Sequence, residues 1–178
     1  MTDTNTTDTN LDLSTADHNA GDGDLLQLVS FVVGEEEFAV SILAVQEINR
    51  MMQITRVPQS PPFVEGVINL RGKIIPVINL RERFGMDKLE NVEDMRIIVV
   101  EVNDRVIGFT VDQVNEVLRI SADIVDSAPQ MSLSGNVDRD YVQGVGKLDD
   151  RLLILLSLEC LFSDEELTEL SAAAAQAA

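Results

Sequence analysis

Residues 25–48 read LLQLVSFVVGEEEFAVSILAVQEI, and residues 94–117 read DMRIIVVEVNDRVIGFTVDQVNEV. At a shift of 69 with no gap, Leu28, Val29, Phe31 and Val33 fall on Ile97, Ile98, Val100 and Val102. The polar turn Gly34-Glu35 falls on Asn103-Asp104, and Phe38, Val40 and Ile42 fall on Ile107, Phe109 and Val111. Apolar β-branched runs joined by a short polar turn are a hairpin signal. A second match, at a shift of 78, sets Gly66-Val67 on Gly144-Val145, Lys73 on Arg151 and Phe84 on Phe162. Alternation alone makes strands resemble one another. Here glycine, turn, basic and phenylalanine positions coincide as well, in the same order. The chain therefore reads as two homologous β units of about five short strands each, the size of a small barrel. Neither unit alone has much core, and packed together they can share one.

Working outward, GVINL (66–70), the turn Arg71-Gly72 and KIIPVINL (73–80) form one more hairpin, and GVGKL (144–148), Asp149-Asp150 and RLLILLSL (151–158) form its repeat. Pro76 cannot donate to a ladder, so it marks a strand edge or bulge. NLRERFG (79–85) reads as one helical turn ending at Gly85, VNEVLRI (114–120) as a strand, and 126–140 as a long Ser/Asp/Gly/Asn-rich loop. No strand pair is separated by a 10–15-residue helical pattern, which disfavours a parallel α/β fold. A capping box, Ser163 to Glu166, opens a last helix with Phe162 and Leu167 at the staple positions. The alanine end has no apolar anchor beyond alanine and is expected to fray. Residues 1–24 carry six Asp, no Lys or Arg and two leucines, and read as a disordered acidic tail. The division is then tail 1–24, a domain of two β-barrel subdomains at 25–162, and a helix with a frayed end at 163–178.

The 178 residues carry 13 Lys+Arg against 31 Asp+Glu, a net charge of −18. Such a chain repels phosphate backbones and anionic lipid, which excludes general nucleic-acid or membrane-surface binding. One Cys cannot form an intramolecular disulfide, and one His with one Cys cannot build a usual zinc site. The start has no signal-peptide pattern, and the longest apolar run, Leu152 to Leu156, is far short of the roughly 20 residues of a membrane helix. A cytoplasmic location is expected, with no membrane insertion.

Candidate chemistry is sparse. His18 lies in the tail, Cys160 reads as a small buried hydrophobe, and Gly144-Val145-Gly146 lacks the rest of a dinucleotide loop. Asp138/Asp140 and Asp149/Asp150 do not continue into a calcium loop. No cofactor, metal or catalytic residue is expected. One constellation stands out: Arg71, Lys73, Arg81 and Arg83 lie within 13 positions of an acidic chain. Setting aside the tail and the last helix leaves −8 on residues 25–162. The cluster reads either as charge balance on a solvated face or as a recognition site for an acidic or polar partner, with Arg71 presented on a tight turn.

Several stretches resemble the CheW family of bacterial chemotaxis coupling proteins. They are Ala44-Val45-Gln46-Glu47-Ile48, the run Pro62 to Gly72 (PFVEGVINLRG), Ile75 to Arg81 (IPVINLR), Val106 to Phe109 with Val111-Asp112, and Gly144 to Leu148 before Leu152 to Leu155. The likeness runs from about Leu25 to Leu170, and the tail has no counterpart in it. It implies two SH3-like five-stranded β-barrels around a shared hydrophobic core, with segments exchanged between the barrels; with the capped C-terminal helix, the fold class is all-β with short helices. It also implies a non-catalytic scaffold adaptor that couples methyl-accepting chemoreceptors to the histidine kinase CheA. Its partners would be the regulatory domain of CheA and the hairpin tips of the receptors, at membrane-associated arrays. No phosphotransfer histidine segment, ATP-binding motif or receiver is present, so a stand-alone adaptor is expected rather than the kinase or a CheV-type fusion.

The resemblance places Val45, Glu47, Ile48 and Arg71 at the receptor contact in the groove between barrels. Val67 and Ile68 are weaker candidates, and the kinase contact is not assigned to residues. Val45 and Ile48 read equally well as core. An adaptor of a sister pathway, such as pilus motility, fits the same residues. A small-molecule-binding or enzymatic β-barrel is the alternative of a different class, with Glu47 and Glu116 as its candidate carboxylates.

Overall fold

The computed structural model describes residues 25–87, 92–126 and 141–177. The tail 1–24 and nearly all of the loop at 126–140 lie outside the described residues. Strands β1 (Leu25–Val33), β2 (Glu36–Ser41), β8 (Gln113–Ser121), β9 (Val125–Asp126), β10 (Val142–Lys147) and β11 (Leu152–Leu156) form one sheet in the order β8-β1-β2-β11-β10-β9. Strands β3 (Val45–Arg50), β4 (Val64–Leu70), β5 (Lys73–Asn79), β6 (Arg96–Val102) and β7 (Arg105–Val111) form the other, in the order β3-β6-β7-β5-β4. Three α-helices, α1 (Leu80–Arg83), α2 (Leu158–Leu161) and α3 (Asp164–Ala177), and two single 3-10 turns, Ile42–Ala44 and Ala122–Ile124, lie between and after the strands of the described residues.

Each sheet closes on itself through its own chain. Beyond β3, Thr55 exchanges two backbone hydrogen bonds with Val67 of β4, at 2.8 and 2.9 Å. Beyond β8, the chain turns through Ala122–Ile124 into β9, whose Asp126 pairs with Val145 of β10. Val67 and Val145 are equivalent at the shift of 78. Closure is therefore part of the duplication, although only the first sheet's version is long enough to count as a sixth strand.

The registers repeat as well. On β3 a bulge between Val45 and Glu47 faces Val100 and Val99, and on β8 the corresponding bulge at Val114 and Glu116 faces Phe31 and Ser30. On β4 the bulge between Val64 and Gly66 faces Ile78 and Val77, and on β10 the one between Val142 and Gly144 faces Leu156 and Leu155. The halves also exchange hairpins. β1–β2, from the first half, joins strands of the second through the parallel pair β2–β11. β6–β7, from the second half, joins strands of the first through the parallel pair β5–β7.

Alternation on buried strands sorts the core into layers. On β6, Ile98, Val100 and Val102 point to a core shared by the two sheets, and Ile97 and Val99 to the interior of their own barrel. Leu28, Ala39, Leu153 and Leu155 fill the other barrel. Phe31 and Phe109 meet across the two sheets, with ring centroids 5.6 Å apart. Pro76 pairs with Val67, whose own backbone groups face Thr55, and pairing of β5 with β7 begins only at Val77. Its missing N–H thus interrupts no ladder bond.

Helices α1 and α2 are equivalent at the shift of 78, each opened by a side-chain cap, Asn79 or Ser157. The expected strand 151–158 ends at Leu156 for this reason: Ser157 turns Leu158–Leu161 into helix. Leu158 and Leu161 face inward, and Cys160 between them is exposed, which corrects its reading as a buried residue. The capping box of α3 forms in both directions, Glu166 N–H to Ser163 Oγ and Ser163 N–H to Glu166 Oε1, each at 3.2 Å. The helix extends through Ala177, past the expected fraying point. Ala174 shares a face with Leu167 and Leu170 and packs on Val57 and Val67, so a small anchor is enough here. Arg83 locks the helix down. Its guanidinium lies 2.7 Å from Glu166, donates to the Leu161 carbonyl at 3.0 Å and stacks 4.4 Å from the Phe63 ring centroid.

Burial pushes the Glu166 carboxyl up, and the bonds from Arg83 and Ser163 outweigh it, so the net shift is downward. A lowered carboxyl contributes stability that is present above the usual glutamate value of about 4.3 and is lost as pH falls through the folded value. Arg83→Leu removes charge-assisted bonds worth about 1.5–3 kcal/mol. Urea melts should show that loss at pH 7 and a smaller difference from the parent near pH 3.

An added Cβ at Gly66 would lie 2.2 Å from the Thr55 carbonyl oxygen, where closure brings two backbones together, and its φ is +149°. Gly72, at φ +85°, has nothing within 4 Å of that point. Gly66→Ala should cost at least about 3 kcal/mol, through clash and strain together. Gly72→Ala should cost only about 1 kcal/mol, the conformational term alone. Denaturation midpoints of the two variants test the difference.

Candidate functional site

The bulge at Gln46 leaves Val45, Glu47 and Asn49 on one side of β3, with Gln46, Ile48 and Arg50 on the exposed side. Val45 is half-buried against the shared core, and Ile48 is 38 % exposed. Across the barrel mouth, the β4–β5 hairpin turns at Arg71-Gly72, both left-handed, at φ +54° and +85°. Two such residues form the tight turn that matches strand twist. Asn69 Oδ1 accepts the Gly72 N–H at 3.0 Å and fixes that turn. Arg71 then reaches Glu47 with both terminal nitrogens, Nη1 to Oε2 at 2.6 Å and Nη2 to Oε1 at 3.3 Å. Asn49 Nδ2 donates to the same Oε1 at 2.9 Å. The bond from Arg71 first, then that from Asn49, hold the Glu47 carboxyl below the usual carboxylate range. The Arg71 side chain remains 76 % exposed, with N–H groups left for a partner.

The structure thus brings Val45, Glu47, Ile48 and Arg71 to one strand edge and the turn above it. It does not bring Val67 and Ile68 there. They are 4 % and 1 % exposed, Val67 packed with Val57 and Ala174 of α3 and Ile68 packed in its barrel interior with Val77 and Ile97, so as contact residues these two are corrected to core. The basic cluster at 71–83 also dissolves into separate roles. Arg81 is spent on the buried Asp112, Arg83 on Glu166, and Arg71 on Glu47, while Lys73 stands exposed.

Comparing the two halves explains why one arginine is presented. Asp149 stands at the position equivalent to Arg71, and the arginine of that turn is Arg151. Arg151 meets Glu37 at 2.7 Å, Glu116 at 2.9 Å and Asp150 at 3.6 Å. Surrounded by three carboxylates, it has little left to offer, whereas Arg71 carries one. Glu47 and Glu116 are the duplicated carboxylates of the enzyme alternative. Each is bound to a turn arginine, and Glu47 is shifted down, opposite to a general acid poised near neutrality.

The sequence gives no signal for Leu43, which is 94 % exposed just before β3. Its equivalent is Asp112, held by Arg81 and by the Gly34 N–H at 2.8 Å. Leu43 has the same place in the other half and no such anchor, so an apolar side chain stands in water just before β3. Among the described residues no group of three or more His, Cys, Asp or Glu is placed to hold a metal ion, and no helix is long and apolar enough to cross a membrane.

A family model for the CheW-like domain matches residues 27–166. The chain belongs to the CheW family. It is 37 % identical over 155 residues to the chemotaxis protein CheW of Klebsiella aerogenes, covering 87 % of this chain and 92 % of that one. It is 40 % identical over 136 residues to the CheW of Helicobacter pylori, covering 76 % and 81 %. The crystal structure of the scaffolding protein TtCheW from Thermoanaerobacter tengcongensis superposes with a TM-score of 0.72 at 38 % identity, over 79 % of this chain and 94 % of that one. The exchanged two-barrel fold expected from the CheW resemblance is the fold observed.

Cys160, the chain's single cysteine, is exposed on α2 of this CheW-like domain. A thiol reagent added to the native protein should titrate one thiol per chain without denaturant. Reaction only after unfolding would contradict the placement.

Proposed function

We propose that the chain is a non-catalytic scaffold adaptor of chemotaxis, coupling chemoreceptor hairpin tips to the regulatory domain of the histidine kinase CheA. The observation that carries this reading is Arg71, held at a fixed height on its turn, bound to one carboxylate and otherwise exposed. The strand that carries its carboxylate partner also holds the half-buried Val45 and the exposed Ile48, and the exposed Leu43 stands just before it, so apolar side chains accompany the charged anchor on this segment. The named relatives are chemotaxis proteins, and the solved relative is named a scaffolding protein. Those names support the class. The receptor, the kinase and recruitment to an array at the membrane are the reading's own content.

Arg71→Glu reverses the anchor's charge on an exposed turn. An exposed ion pair contributes little to stability, so the melting temperature should stay nearly unchanged. Affinity for a chemoreceptor cytoplasmic fragment should fall about tenfold or more, the scale on which central anchors act. Parent-like affinity in a calorimetric titration would remove Arg71 from the contact. Copurification with a pilus-motility kinase in place of CheA would assign the adaptor to that sister pathway.

A further inference from the structure

We infer that Asn49 is a positioning residue for the partner contact: its side-chain amide fixes the Glu47 carboxylate so that Arg71 is held in a two-point pair and offered outward in one orientation. The inference rests on the contact proposed above and adds to it a residue outside that set.

The geometry is specific. Glu47 sits on β3, an edge strand bonded along its length only to β6. A glutamate there has three side-chain torsions and open solvent on one flank, so its carboxylate has no intrinsic reason to hold one plane. Asn49 lies two residues on and therefore on the same face. Its Nδ2 donates to Oε1 at 2.9 Å. That oxygen is also the one Arg71 reaches at the longer distance, 3.3 Å, while Oε2 takes the short bond at 2.6 Å. The amide therefore secures the weaker arm of the pair. With Oε1 fixed, the carboxylate plane is set, and a two-point partner then sets the plane of the guanidinium. Asn69 performs the matching task on the other side by fixing the turn that carries Arg71. Two neutral amides thus frame an exposed ion pair without adding charge that would compete for the arginine.

An exposed arginine that wanders among rotamers loses side-chain freedom when a partner takes it. A framed arginine has already lost part of that freedom in the free protein. Asn49 should therefore matter for affinity and little for folding.

The test uses the full chain. In Asn49→Leu, the Glu47 carboxyl, followed by carbon-detected NMR titration, should rise toward the ordinary glutamate range. Affinity for a chemoreceptor cytoplasmic fragment should fall about three- to tenfold, less than the full worth of a hydrogen bond to a charged group, because the bond is already made in the free protein and enters binding only through orientation. Asn49→Gln, which keeps the donor, should recover part of both effects, and the melting temperatures of both variants should stay near the parent's. If Asn49→Leu leaves the Glu47 titration and the affinity unchanged while Arg71→Glu loses binding, the positioning role is overturned and the contact stands. If Arg71→Glu binds like the parent, the contact is overturned and the role of Asn49 goes with it.

Discussion

Phe38 of β2 lies beside Ile154 of β11, and Gly108 of β7 lies beside Val77 of β5. These two short parallel seams join each hairpin to strands from the other half of the chain, and the remaining architecture depends on them. A hairpin that is apolar on both faces cannot be covered by one small barrel. Inserted into a sheet of the other half, it gives one face to a barrel interior and the other to the core between barrels. Phe31 meets Phe109 because of this arrangement. The same demand explains the unbroken apolar run of β6, where neighbouring residues serve different cores.

The duplicated frame is symmetric, and the chemistry laid over it is not. Equivalent turns carry Arg71 in one half and Asp149 in the other, and equivalent positions before β3 and β8 carry Leu43 and Asp112. Where the second half buries an aspartate under Arg81, the first leaves a leucine in water. Where the second half surrounds Arg151 with three carboxylates, the first presents Arg71 with one. The duplication thus completes the polar partnering of one of two equivalent places and leaves the other exposed. The frame tolerates this because its stability lies in the buried layers and in the glycines of closure, away from the turns that differ.

Much of this was legible in the sequence, for physical reasons that can be named. Gly66 and Gly144 match at one shift because both stand where a closing backbone passes within contact distance. Phe84 and Phe162 match because each follows a capped helical turn and is fully buried. Strand partners across the exchange were not readable from the residues themselves, since apolar strands carry no label for their neighbour; the resemblance supplied that point. Strand β3 carries no strand signal in the sequence because its apolar residues, Val45 and Ile48, are three apart and fall on opposite faces, while Glu47 and Asn49 occupy the half-buried side. Arg81 and Arg83 looked like parts of a basic patch because linear spacing does not show that α1 turns them toward Asp112 and Glu166. Val67 and Ile68 sit in a matching motif whose conformation serves closure, so motif membership there signalled fold. Cys160 looked buried because its neighbours are leucines, and helical rotation placed it on the opposite face.

The exchange also orders events in time. The second barrel is built from residues 45–111 without interruption, whereas the first needs residues 25–41 together with 113–156. On a chain emerging from its amino end, every strand of the second barrel exists before β8 does. The β1–β2 hairpin, made first, must wait for partners more than 70 residues later. Pairings of such long separation form late, because loop closure must precede the contacts that reward it. The early hairpin is therefore the segment left with apolar faces open during synthesis. The interval before β11 arrives is when this chain is most exposed to association with other chains.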